Sequence, residues 1–191
     1  MFRITEPTDS DVAKFISSQR NLDFTYAEVG ATINKPPAGY TVDNNRVLLG
    51  NGERIYSAAV AVLKEWKQFD LGWLAVVPRG VQTEVGEMVV VKARALGTWS
   101  LNATRVIFVI DEPKRFGYAY GTLPGHIECG EERFLIEWLN DDSVWYDILA
   151  FSRPRHPLVR ASYPFARMLQ KKFARESMRR VKELTQASAS V

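Results

Sequence analysis

The sequence lacks several features that would point directly to a function. It has a single cysteine, Cys129, so no disulfide can form within the chain, which suits a reducing compartment. It has two histidines, His126 and His156, and no Cys/His pair at metal-ligand spacing. No apolar run is long enough to span a bilayer, and no basic, then apolar, leader opens the chain. A cytoplasmic protein with no transmembrane segment is therefore expected. There is no Gly-rich phosphate loop, dinucleotide fingerprint or G-x-S-x-G elbow, and no cofactor is expected.

What remains is a chain of 191 residues, 46% hydrophobic and 12% aromatic. That is enough for a single domain, 1–191, with one substantial core. The aromatic share fits either a large core or a lined pocket. Net charge is +3, and the excess sits in the tail at Lys171, Lys172, Arg175, Arg179, Arg180 and Lys182. Such a face is read as solvated. No basic stripe interleaved with exposed aromatics supports a nucleic-acid partner.

The most informative stretch is 115–157. Phe116, Tyr118 and Tyr120 alternate with Gly117, Ala119 and Gly121, which predicts a strand with rings on one face. Residues 131–138 alternate again, with Glu132, Phe134, Ile136 and Trp138 in one phase. Asn140 to Ser143 supplies turn chemistry, and 144–151 reads as the next strand.

Upstream, a short helix is expected within 1–23, with Thr8-Asp-Ser-Asp as its cap. Residues 26–43 read as extended and irregular, because Pro36, Pro37 and Gly39 exclude a helix. Residues 53–69 carry helical spacing of Ile55, Ala58, Ala59, Val62, Leu63 and Trp66. Strands follow at 73–78, 86–96 and 99–111. A second long helix is expected over 157–184, started by Pro157 and broken or kinked at Pro164, with 186–191 frayed.

No helix interrupts the run of about six strands, so neighbours pair antiparallel. The sheet must bury one face, and the terminal helix is long enough to cover it. The fold class is α+β, a curved antiparallel sheet wrapped around a long C-terminal helix, with room for a ligand between them.

The segments Tyr26-x-x-Val29-Gly30, Pro37-x-Gly39-Tyr40, Trp73, Ala93-Arg94-x-x-Gly97, the long run from Arg115 to Phe134, and Ser152-Arg153-Pro154 resemble the family known as domain of unknown function 1990, also termed UPF0548. The likeness extends from about Leu22 to about Arg180. The order of elements is also similar to the helix-grip superfamily, which includes START lipid carriers, the birch-pollen allergen type and polyketide cyclases. That resemblance implies a small apolar ligand between sheet and helix, and in a few members a cyclisation, dehydration or hydrolysis there. Residues 43–52 then read as an insertion that covers or narrows the cavity.

The candidate ligand-binding residues are Trp99, Tyr118, Tyr120, Tyr146 and Phe165, with Arg115 and His126 near the mouth. A tyrosine presents an apolar ring with one polar tip, which suits a pocket, though the same rings suit a packed core. His126 beside Glu128 is a candidate acid–base pair, or else a loop histidine bonded to backbone. Cys129 is disfavoured as a nucleophile, because its acidic neighbours raise a thiol's pKa. Arg94, Arg115 and Arg133 read either as anion anchors or as cross-strand ion pairs with Glu131, Glu132 or Glu137. Three functions stay open: a carrier of a small apolar molecule, an enzyme using the same cavity, and an interaction protein with a filled core.

Overall fold

The structure is a computed structural model, and it describes residues 2–155 and 163–189. The chain opens with β1 (Phe2–Arg3) and α1 (Asp9–Gln19). Thr8 caps α1 in a reciprocal box: Asp11 N donates to Thr8 Oγ1 at 3.2 Å, and Thr8 N donates to Asp11 Oδ2 at 2.9 Å. There follow β2 (Thr41–Asn51), α2 (Glu53–Lys64), β3 (Leu74–Val77), β4 (Met88–Ala95), β5 (Thr98–Glu112), β6 (Arg115–Thr122), β7 (Glu128–Trp138), β8 (Ser143–Pro154) and α3 (Tyr163–Ala189).

Among the described residues eight strands form one antiparallel sheet, ordered β2-β8-β7-β6-β5-β4-β3, with β1 attached to β5. From β3 to β8 each strand pairs with the next, as the short turns between them require.

The stretch read as an insertion over 43–52 is mostly strand. Thr41–Asn51 pairs with β8 from Thr41 opposite Ser152 to Asn51 opposite Ser143. Asp43, Asn44 and Asn45 are poor strand formers, so it is pairing with β8 that makes this segment an edge strand. The helix expected over 53–69 also stops early. Trp66 takes a left-handed conformation at φ 57, and a 3-10 turn over Lys67–Phe69 carries Gln68 and Phe69 into the core.

Pro164 does not kink the described terminal helix. It lies in the first turn of α3, where a missing N–H removes nothing from the ladder. The expected start at Pro157 lies outside the described residues, as does His156. At its far end α3 continues through Ala189, and Gln186 Nε2 donates to the Leu49 carbonyl at 3.2 Å.

Both faces of the sheet are covered. On the outer face, Val12 and Phe15 of α1 pack on Met88, Val90, Leu101, Ala103 and Leu123. The segment that follows α1 is pinned by buried Glu131, which accepts from Tyr26 Oη at 2.9 Å, Gly30 N at 2.7 Å, Thr32 N at 2.9 Å, and Thr32 Oγ1. Small residues opposite the β6 rings make this approach possible. A Cβ on Gly121 would lie 2.3 Å from Tyr26 Oη and 2.9 Å from Phe24 Cδ1. On the inner face, Phe116, Tyr118, Phe134, Ile136 and Tyr146 pack against Ala59, Val62 and Leu63 of α2 and Ala174 and Val181 of α3.

Candidate functional site

The core built around α2 fills only part of the inner face. Its limit is a wall of rings: Phe69 lies 5.2 Å from Phe173 and 5.4 Å from Phe134, and Tyr120 lies 5.5 Å from Phe134, centroid to centroid. Beyond the wall, sheet and α3 stand apart and enclose a chamber of about 920 Å³. Its apolar lining includes Leu74, Val91, Ala93, Ile148, Ala150, Phe165, Leu169 and Met178. Ala93, Ser100, Ala150 and Ser152 put small side chains where larger ones would fill the space. Two contacts fix α3 along the chamber. Trp73 Nε1 donates to Glu176 Oε2 at 2.7 Å, and Gln170 Nε2 donates to Glu128 Oε2 at 2.6 Å and to Ser152 Oγ at 3.0 Å.

Polar groups interrupt this lining at a few points. Tyr120 Oη donates to Glu132 Oε2 at 2.6 Å. Burial lifts the Glu132 carboxyl to about 7; the Tyr120 hydrogen bond opposes this, and the nearby Glu128 and Asp43 carboxylates add to it. Burial also raises Glu128, against hydrogen bonds from Gln170 and Ser152. Asp43 is engaged by Arg167 in a bidentate pair at 2.5 and 2.6 Å. Burial lowers the His126 imidazole to about 4, so it is neutral near pH 7. The Glu128 backbone N–H donates to His126 Nδ1 at 3.0 Å, which assigns the ring proton to Nε2.

Of the residues expected to form a site, Tyr120, Phe165, His126 and Glu128 line the chamber. Tyr118 and Tyr146 do not. Both are fully buried in the packed core shared with α2 and α3. Tyr118 Oη accepts from Gln68 Nε2 and donates to the Leu63 carbonyl, while Tyr146 Oη shares a hydrogen bond with Ser177 Oγ at 3.0 Å. Trp99 lies on the opposite face. Strand β5 turns Ser100 and Asn102 toward the chamber, so Trp99 points outward, with Lys92 Nζ 5.3 Å from its ring centroid.

Arg115 lies at the far end of β6, beside the β5–β6 turn, ion-paired with Glu112 at 3.2 Å and Glu137 at 3.3 Å. Arg133 pairs with Asp147 at 2.8 Å. Arg94 stacks over Trp99. Of the expected cross-strand ion pairs only Arg115–Glu137 forms; Arg133 takes Asp147 instead, and Arg94 lies over a ring.

The acid–base pair expected of His126 and Glu128 is not formed. Their contact runs through the Glu128 backbone, while the Glu128 carboxylate is engaged by Gln170. Cys129 is buried, and its thiol donates to the Thr25 carbonyl at 3.1 Å. The inner face thus carries both a packed core and, beyond it, the chamber. Sequence reasoning missed Trp73, Asn102, Glu132, Gln170 and Phe173 as chamber residues. For Glu132 a signal existed, since it shares the apolar phase of its strand with Phe134 and Ile136.

Among the described residues no helix is long and apolar enough to cross a membrane, and no group of three or more His, Cys, Asp or Glu is arranged to hold a metal ion.

Comparison with known proteins agrees with this architecture. The family model described as Domain of unknown function (DUF1990) matches residues 25–180. A UPF0548 protein of Dictyostelium discoideum is 34% identical over 199 residues, covering 93% of this chain and 92% of that protein. Among solved structures, the Zhui aromatase/cyclase from Streptomyces sp. R1128 superposes with a TM-score of 0.55 at 9% identity, covering 77% of this chain and 94% of the other. Ara h 8.0201 gives a TM-score of 0.50 at 13% identity, with 78% and 99% covered. At such identities the likeness shows the fold alone, and it is the expected α+β helix-grip fold.

Proposed function

The chain belongs to the DUF1990 family, and we propose that it binds a small, mostly apolar molecule in the chamber between the sheet and α3. One observation carries this reading. In a domain whose other half is densely packed with rings, about 920 Å³ is left open behind an apolar lining. Protein interiors close such spaces unless something occupies them, because each lining atom without a neighbour forfeits dispersion contacts. The volume lies in the usual range for small-molecule sites, and a few polar groups in an apolar lining are what such sites use for orientation. Phe165, Leu169, Ile148 and Ala150 would supply the apolar contacts, and Tyr120 the boundary.

Binding is a better reading than turnover on the residues present. The Streptomyces structure of this fold is named an aromatase/cyclase, but here the Glu128 carboxylate is engaged by Gln170 and does not orient His126. The test is native mass spectrometry of protein purified from its own host, together with titration of the neutral dye Nile red. A bound small molecule that leaves on denaturation, or saturable dye binding abolished by Ala150→Trp, is expected. Protein that carries no added mass and leaves the dye dark would overturn the proposal.

A further inference from the structure

Two acceptors in the chamber lining have unspent hydrogen-bonding capacity. Glu132 uses Oε2 to accept from Tyr120. Its other oxygen has no donor among the described residues, and neither Glu132 nor Glu128 has an ion-pair partner there. Asn102, only 6% exposed and part of the same lining, spends its amide N–H groups on the Val91 carbonyl and Ser100 Oγ. Its carbonyl oxygen is buried with no donor. A buried acceptor such as the Asn102 oxygen is costly to leave empty, and a donor brought by a ligand would satisfy it or the open Glu132 oxygen.

The charged groups that act on Glu132 itself are acidic. Glu128 lies on its own strand and Asp43 on β2, and both work against its ionisation. Tyr120 on β6 is a neutral donor, and the nearby Tyr118 and Tyr146 are neutral as well. His126, in the loop before β7, is neutral. On α3, Arg167 is spent on Asp43, while Lys171 and Arg175 line the chamber with their side chains largely in solvent and form no ion pair with Glu132 or Glu128 among the described residues. Glu132 thus stands in the chamber with no ion-pair partner among the described residues.

We infer that the ligand is a mostly apolar molecule bearing a protonated amine, and that Glu132 is the group that receives the amine. This rests on the chamber being a binding site. An ammonium group supplies the missing donor and the missing positive charge together. A neutral alcohol supplies only the first, and a carboxylate neither.

The test uses three probes with one chain length, decylamine, decanol and decanoate, each displacing Nile red from the full chain at pH 7. Decylamine is expected to bind about tenfold or more tighter than decanol, and decanoate weakest. In Glu132→Gln, which keeps the shape and an acceptor for Tyr120, the preference for the amine over decanol should disappear.

Calorimetry of the wild-type protein in two buffers of different ionisation enthalpy gives a second readout that does not depend on the variant folding. The Glu132 carboxyl is lifted to about 7 by burial, so an arriving cation should expel part of a proton at pH 7, and decanol none. Equal displacement by all three probes, preference for decanoate, or amine binding without proton release would each overturn the inference and leave the binding reading intact. Failure of Nile red and every probe to bind would overturn both.

Discussion

Tyr120 and Glu132 face each other across adjacent strands, paired in register, with the phenol donating to the carboxyl at 2.6 Å. In the unfolded chain Glu132 titrates near 4.5; in the folded chain burial lifts it to about 7. Between those values the folded state holds the extra proton. Stability therefore falls as pH rises through that window, and the loss is complete above it. Glu132→Gln removes this burden. The variant should be more stable than wild type by about 2–4 kcal/mol near pH 8, with the gap closing toward pH 4.5. Urea titrations across that range measure it, and a gap that does not widen with pH would contradict the assignment.

His126 behaves in the opposite sense. Its folded value, about 4, lies below the ordinary 6.5, so the folded state holds fewer protons between them. Its contribution to stability is present above 6.5 and is lost as pH falls toward 4. Nitrogen-detected NMR of the imidazole should show the Nε2–H tautomer throughout the neutral range and a midpoint near 4. A midpoint near 6.5 would place the ring in water. His126→Ala, which strands the Glu128 amide, should cost about 1–2 kcal/mol.

Gly121→Ala should loosen the outer segment. The added methyl meets the Tyr26 hydroxyl and the Phe24 ring, and forced overpacking costs about 1–3 kcal/mol. Hydrogen exchange should quicken at Thr25, whose N–H donates to the Thr122 carbonyl at 3.0 Å. Unchanged exchange there would mean that the segment does not depend on this close approach.

Tyr146→Phe and Ala150→Trp should separate packing from binding on a single strand. The first leaves the Ser177 hydroxyl unpaired in the core and should cost about 1–2 kcal/mol without changing Nile red affinity. The second places an indole in the chamber and should abolish dye binding while the protein stays folded. Dye binding lost in Tyr146→Phe would put Tyr146 back among the ligand contacts.

The central strands were legible because 116–121, 131–138 and 144–151 alternate cleanly, and burial of one phase leaves little freedom of register. β2 was not legible. Its Asp43-Asn44-Asn45 run has low strand propensity, and only the long-range partner β8 makes it a strand. The candidate site was half legible, for a similar reason. Alternation tells which phase faces inward, so Tyr118, Tyr120 and Tyr146 were correctly grouped. It does not tell how far along the strand the α2 packing extends, and that distance decides which rings are core and which are wall. Trp99 was assigned to the wrong face, because β5 carries apolar or small residues in both phases.

Glu131 and Glu132 are consecutive residues on β7 that look in opposite directions, one clamping Tyr26, Gly30 and Thr32, the other overlooking the hollow. The peptide bond between them mechanically joins the protein's outer coat to its inner room. Thr32 and Tyr26, which hold Glu131 and are absent from the chamber lining, are thus one residue removed from the group that faces it.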